Sequence, residues 1–98
     1  MSDVNERIRK RLVFRGVVQG VGFRWRARAA ADAAGATGWV RNNFDGSVTM
    51  ELQGTEAQID RVVQSLDRAR YVRIEALEAR RIPVDAEERR FAVRDDLW

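Results

Sequence analysis

The stretch Gly16-Val17-Val18-Gln19-Gly20-Val21-Gly22-Phe23-Arg24 decides how this sequence is interpreted. It follows a strand-like run, residues 11–15, and leads into a helix-like run from Phe23 to Ala34. Its three glycines allow positive φ angles and close backbone approach, so successive amide groups can turn toward one small anion. The N-terminus of the following helix adds partial positive charge, and Arg24 on its first turn adds a full one. The stretch therefore predicts a phosphate-binding loop.

The candidate phosphate ligands are the backbone amides of this loop and the guanidinium of Arg24, which can donate two parallel hydrogen bonds to phosphoryl oxygens. The loop residues assigned to this role are Gly16, Val17, Val18, Gln19, Gly20, Val21 and Gly22. The loop lacks the third glycine of a dinucleotide-binding fingerprint and the Gly-Lys-Ser/Thr sequence of a P-loop, so a nucleotide ligand is not expected. Taken alone, the pattern also fits a plain glycine-rich connection between a strand and a helix.

A second segment, Gly38-Trp39-Val40-Arg41-Asn42-Asn43-Phe44-Asp45-Gly46, indicates a strand that ends in a tight turn. After Arg24, Asn42 is the second candidate catalytic residue, because its side-chain amide supplies both a hydrogen-bond donor and an acceptor. Asn43 and Asp45 better fit roles within the turn itself. We expect Arg41 to contribute only surface charge.

Together the two segments resemble the signature of the acylphosphatase family, in which Gly-x-Val-Gln-Gly-Val-x-Phe-Arg precedes Gly-Trp-Val-Arg/Lys-Asn and a turn ending in glycine. The resemblance covers residues 8–94, and both motifs have the family's order and spacing. It implies hydrolysis of acyl phosphates, the mixed anhydrides of a carboxylic acid and phosphoric acid. It also implies that Arg24 binds the phosphoryl group and that Asn42 orients the attacking water.

The composition restricts the chemistry further, because the chain contains no histidine and no cysteine. Thiolate, phosphohistidine, Ser-His and histidine-ligated zinc mechanisms are therefore excluded. An acyl phosphate has a good leaving group, since a carboxylate departs with little need of protonation. Water held in line is then sufficient, provided that amides and one guanidinium neutralise the phosphoryl charge. We predict no metal and no cofactor.

Length and charge indicate one small domain without a membrane or nucleic-acid partner. The 98 residues fit a single domain over 8–98, preceded by a flexible tail over 1–7. No apolar run approaches the ~20 residues of a membrane span, and the N-terminus lacks the apolar core of a secretory signal. The net charge of +3 is a mild excess. We therefore predict a cytoplasmic monomer that acts on a small-molecule acyl phosphate.

Hydrophobic periodicity predicts an α+β protein with the element order βαββαβ and room for one additional short strand. The expected strands cover residues 8–15, 37–43, 47–53, 71–80 and a short run around Phe91 and Val93, and the expected helices cover 23–34 and the residues after 55. Both helices would cover one face of an antiparallel sheet, as in a ferredoxin-like sandwich. The family resemblance implies the same fold.

The helix predictions rest on a few residues. Gly35 is expected to end the first helix in the left-handed conformation, and Thr55 with Gln58 forms a capping box for the second. The first helix carries a narrow stripe of residues at helical spacing that is expected to face the sheet. These residues are Phe23, Ala27, Ala30 and Ala34.

The strand predictions rest on alternation. Val48, Met50 and Leu52 are expected to be buried, while the residues between them face water. In the fourth strand the alternation slips near Ala76–Leu77, which predicts a bulge or an early end there.

Several alternatives remain open on the sequence alone. The chain also fits a catalytically silent phosphate-binding domain or a part of a larger carbamoyl-phosphate enzyme. An RNA-binding module has the same element order, although Phe14 is the one aromatic residue on its two central strands here. Two segments depart from the family pattern, because residues 67–71 lack a common Gly-Pro pair and residues 95–98 are unusual. Trp25 and Trp98 are candidates for the acyl side of the cleft, with exposed or packing positions as the simpler expectation.

Overall fold

The computed structural model describes residues 4–95, in which two helices pack against each other on a five-stranded sheet. The elements are β1 (Ile8–Val17), α1 (Phe23–Ala34), β2 (Thr37–Asn42), β3 (Val48–Gly54), α2 (Glu56–Asp67), β4 (Arg73–Ile82) and β5 (Phe91–Arg94). The strand order in the sheet is β4-β1-β3-β2-β5. The predicted α+β, ferredoxin-like order is confirmed, and β5 is the additional short strand. Part of the predicted tail, residues 1–3, and residues 96–98 with Trp98 lie outside the described residues.

β5 makes the sheet mixed rather than wholly antiparallel, because it pairs in parallel with β2. The other neighbouring strands are antiparallel, as predicted. Residues 83–90 carry the chain from β4 at one edge of the sheet to β5 at the other. Nothing in the short β5 sequence indicates which edge the strand joins, so alternation alone cannot predict its direction.

β1 extends past its predicted end, so that Gly16 and Val17 pair with β4. The register shifts just before Gly16 and leaves Glu75 as a bulge, next to the predicted position at Ala76–Leu77. A Cβ on Gly16 would lie 2.2 Å from the carbonyl oxygen of Arg73. Strand pairing therefore requires a glycine at residue 16, whatever else its amide does.

The core lies between the helices and the sheet. The buried residues of α1 are Phe23, Ala27 and Ala31. Ala30 and Ala34, which were predicted to face the sheet, are only half-buried, because the contact line follows every fourth residue. Phe23 packs edge to face against the fully buried Phe14, with ring centroids 5.1 Å apart. Phe14 is therefore not accessible for base stacking.

Both helix ends follow the local signals. The Thr55 hydroxyl accepts from the Gln58 N–H at 3.2 Å, and the Gln58 side chain accepts from the Thr55 N–H at 2.8 Å, which confirms the capping box. Gly35 ends α1 in the left-handed conformation, as predicted. Neither helix within residues 4–95 is long and apolar enough to cross a membrane.

β3 is buried on both faces, which corrects the prediction that one face meets water. The core-facing residues are Val48, Met50 and Leu52, as expected. On the opposite face, Thr49 and Gln53 are only 4% and 1% exposed. The amide of Gln53 exchanges two hydrogen bonds of 2.8 Å with the backbone of Asp85. The covering segment is distant in sequence, so alternation within β3 cannot reveal it.

Gly38 of β2 lies so close to β3 that a side chain has no room. A Cβ there would lie 1.8 Å from the carbonyl oxygen of Glu51. We expect Gly38→Ala to lower the free energy of unfolding by at least about 2 kcal/mol, as for overpacking of a closed site. Gly46→Ala is the control, because Gly46 also has positive φ but no atom within 4 Å, and it should cost about 1 kcal/mol. Equal losses in urea unfolding would contradict the close approach.

Candidate functional site

The glycine loop connects β1 to α1 and is fixed by apolar side chains beneath it. Val18 is fully buried, and Val21 packs partly against the core. Gly20 and Gly22 have φ angles of 74° and 75°, and Gly22 is the N-cap of α1 without a side-chain cap bond. The first N–H groups of a helix lack intrahelical partners. The start of α1 therefore leaves backbone donors and the positive end of the helix beside the loop.

Beside this loop is a cavity of about 150 Å³. Its lining residues are Val18, Gly20, Gly22, Phe23, Arg24, Trp25 and Asn42. The structure thus brings Val18, Gly20 and Gly22 of the loop together with Arg24 and Asn42. The other residues of the predicted loop do not line the cavity: Gly16 and Val17 belong to β1, and Gln19 and Val21 are also outside the lining.

Arg24 is held by the chain as it leaves β5. Its Nη1 donates to the carbonyl oxygen of Arg94 at 3.3 Å and to the carboxylate of Asp95. Within residues 4–95 both contacts use Nη1, and a guanidinium has five N–H donors, so Nη2 and Nε can still donate to a phosphoryl oxygen. Sequence reasoning missed this contact, because no local signal places Asp95 beside α1.

Asn42 ends β2 and lines the cavity with an acceptor that has no partner. Among the described residues its Oδ1 is buried and makes no hydrogen bond. A buried acceptor without a donor costs about 1–3 kcal/mol. Such an atom is suited to accept from a water molecule or a ligand in the cavity.

Asn43 has the turn role predicted for it. Its Nδ2 donates to the hydroxyls of Ser47 at 2.9 Å and Thr49 at 2.7 Å, and its N–H donates to the Ser47 carbonyl oxygen at 2.8 Å. The two neighbouring asparagines therefore differ, since the side chain of Asn43 is used within the turn.

Gln19 joins the loop to the turn between β2 and β3. Its Nε2 donates to the carbonyl oxygens of Asn43 at 2.7 Å and Ser47 at 2.8 Å. Sequence reasoning assigned only the backbone of Gln19 to the phosphate and missed this side-chain role. The side-chain amide of Gln19 within a glycine-rich loop was the available signal, but the sequence does not indicate which groups it binds.

Asp45 acts within the turn, as expected from its position before glycine. Its carboxylate accepts from the Ser47 hydroxyl and N–H and from Arg15 Nη1. Chiefly because of the Ser47 hydroxyl bond, the pKa of Asp45 is lowered to about 2. Across residues 4–95, no group of three His, Cys, Asp or Glu side chains is arranged to hold a metal ion.

The lowered pKa of Asp45 has a consequence for stability at acid pH. A carboxyl whose pKa is lower in the folded state stabilises it fully above the ordinary pKa, and this contribution is lost as pH falls to about 2. We expect Asp45→Asn to be less stable than wild type at pH 5, with the difference shrinking between pH 4 and pH 2. Urea midpoints at these pH values measure it. A difference that stays constant with pH would contradict the assignment.

Arg41 is not among the residues that line the cavity, and its guanidinium lies beside Trp39. Its guanidinium carbon is 5.3 Å from the Trp39 ring centroid, and that of Arg94 is 4.7 Å away. Arg41 is half-buried, so it is more than the surface charge expected from the sequence. The contact between Arg94 and Trp39 connects β5, the strand that precedes Asp95, to β2.

Comparisons with known proteins point to one family. The family model described as Acylphosphatase matches residues 10–93. The chain is 35% identical over 82 residues to an acylphosphatase from Oceanobacillus iheyensis, covering 82% of this chain and 90% of that protein. The crystal structure of acylphosphatase from Bacillus subtilis is similar, with TM-score 0.81 and 26% identity, over 88% of this chain and 97% of that one. The acylphosphatase from Coxiella burnetii gives TM-score 0.82 and 26% identity, over 92% and 94%.

Proposed function

The chain belongs to the acylphosphatase family, and on that premise we propose that its cavity binds the phosphoryl group of an acyl phosphate while Asn42 holds the attacking water. Its similarity to acylphosphatases identifies it as a hydrolase that acts on acid anhydrides. The observation that carries the residue assignment is the shared cavity of the glycine loop, Arg24 and Asn42.

The phosphoryl group is bound by fixed donors. In this scheme the donors are amides of the loop and of the first turn of α1, both of which border the cavity, and the helix dipole favours negative charge there. Arg24 adds a full charge, and its contacts with Arg94 and Asp95 fix its orientation. Donors that are already oriented need no reorganisation as charge moves onto the equatorial phosphoryl oxygens during transfer.

The nucleophile is a water that donates a hydrogen bond to the unpartnered Oδ1 of Asn42. Its oxygen forms a bond to phosphorus in line with the departing carboxylate, which takes the electron pair of the broken P–O bond. One water proton stays on the new phosphate, and the other passes to a phosphate oxygen or to solvent. The products are a carboxylate and inorganic phosphate.

The direct test is hydrolysis of acetyl phosphate by the purified protein in the presence of a chelator, with acetate and phosphate measured. We expect turnover with a rate that is flat between about pH 5 and 8, because the chain has no histidine or cysteine to titrate there. A bell-shaped profile would indicate a catalytic base outside this scheme. Phosphate binding without hydrolysis would favour the silent phosphate-binding alternative.

A further inference from the structure

Trp25 is a large, exposed apolar side chain beside the cavity. It follows Arg24 on the first turn of α1, lines the same cavity and is 61% exposed. Within residues 4–95 its indole makes no hydrogen bond, ring contact or cation–π contact. Of the exposed large apolar residues in that range, it alone lines the cavity.

Trp25 lies where the acyl part of the substrate leaves the phosphoryl position. The cavity of about 150 Å³ is partly open to solvent, and Trp25 belongs to its lining. With the phosphoryl group at the loop and Arg24, the acyl group extends toward the open side, where the exposed indole of Trp25 offers a flat apolar surface.

We propose that Trp25 is the acyl-group contact of this site and gives it a preference for acyl phosphates with flat, apolar acyl groups. The inference rests on the proposed function, because it assumes that the cavity holds the phosphoryl group. Trp25 is a specificity-determining residue in this scheme, whereas Arg24 and Asn42 act on the phosphoryl group and the water.

The test compares kcat/KM for benzoyl phosphate and acetyl phosphate. Wild type should favour benzoyl phosphate, and the ratio of the two values should fall about three- to tenfold in Trp25→Ala, the range for one aromatic contact. Trp25→Phe should keep most of the ratio. Tyr71→Ala is the control, because Tyr71 is 71% exposed but does not line the cavity. A ratio unchanged in Trp25→Ala, or a wild type that favours acetyl phosphate, would overturn the proposal.

Calorimetric binding of benzoylphosphonate and acetylphosphonate separates this inference from the proposed function. If the wild type hydrolyses neither acyl phosphate yet binds benzoylphosphonate more tightly, and Trp25→Ala removes that preference, the hydrolytic function fails while the Trp25 contact holds. If the wild type hydrolyses both substrates and Trp25→Ala leaves the ratio of their kcat/KM values unchanged, the hydrolytic function holds while the Trp25 contact fails.

Discussion

Replacement of Arg24 by alanine is expected to lower kcat/KM for acetyl phosphate by a factor of about 10² to 10³. Among the described residues that line the cavity, Arg24 is the one charged side chain, and removal of a single oriented donor from a transition-state site costs this much. Arg24→Lys should retain more of the wild-type rate than Arg24→Ala but not all of it, because an ammonium lacks the planar pair of donors. Steady-state kinetics of the three proteins measure the effect.

The matched control is Arg28→Ala, one turn further along α1. Arg28 is exposed, and its one ion pair to a described residue is that of 3.9 Å with Asp32, so its loss should leave the rate within about twofold of wild type. Unfolding curves for both variants test whether a lower rate reflects loss of the folded structure. Wild-type kinetics in Arg24→Ala would mean that the phosphoryl group binds elsewhere.

Asn42→Ala is expected to lower kcat about a hundredfold while KM stays within about threefold of wild type. The side chain acts on the water, so its removal affects the chemical step more than substrate binding. The same change removes a buried acceptor that has no partner among the described residues. Stability should therefore stay the same or rise, because the cost of that acceptor disappears.

Asn43→Ala is the matched control and should give the opposite pattern. It removes hydrogen bonds to Ser47 and Thr49, so we expect a loss of about 1–2 kcal/mol in unfolding free energy. Any loss of activity should then follow the loss of stability. A large rise in KM in Asn42→Ala, without a change in kcat, would show that Asn42 holds the substrate rather than the water.

Local signals predicted the parts of this fold that depend on neighbouring residues. The bounds of α1 follow from the glycines on either side of it, and the capping box of Thr55 and Gln58 identified the start of α2. The candidate site residues, namely the loop, Arg24 and Asn42, were predicted because two short motifs carry them. Their meeting in one cavity follows from the predicted topology, which places the start of α1 near the end of β2.

Contacts between distant segments could not be predicted in this way. The end of β1 was placed too early, because Gly16 looks like a loop residue until its pairing with β4 is known. The second buried face of β3 depends on Asp85, and the anchoring of Arg24 depends on Asp95. In each case the partner lies more than thirty residues away, beyond the reach of periodicity.

The two hydrogen bonds of Gln19 bear on how this molecule tolerates change. They bind the backbone carbonyls of Asn43 and Ser47, on either side of the turn, and residues 44–46 lie between these two points. Insertions or deletions confined to residues 44–46 are therefore expected to leave the spacing between the glycine loop and the turn unchanged. Replacement of Gln19 removes both bonds, so the loop and the turn should then move independently. Changes in length should thus be better tolerated within residues 44–46 than replacement of Gln19.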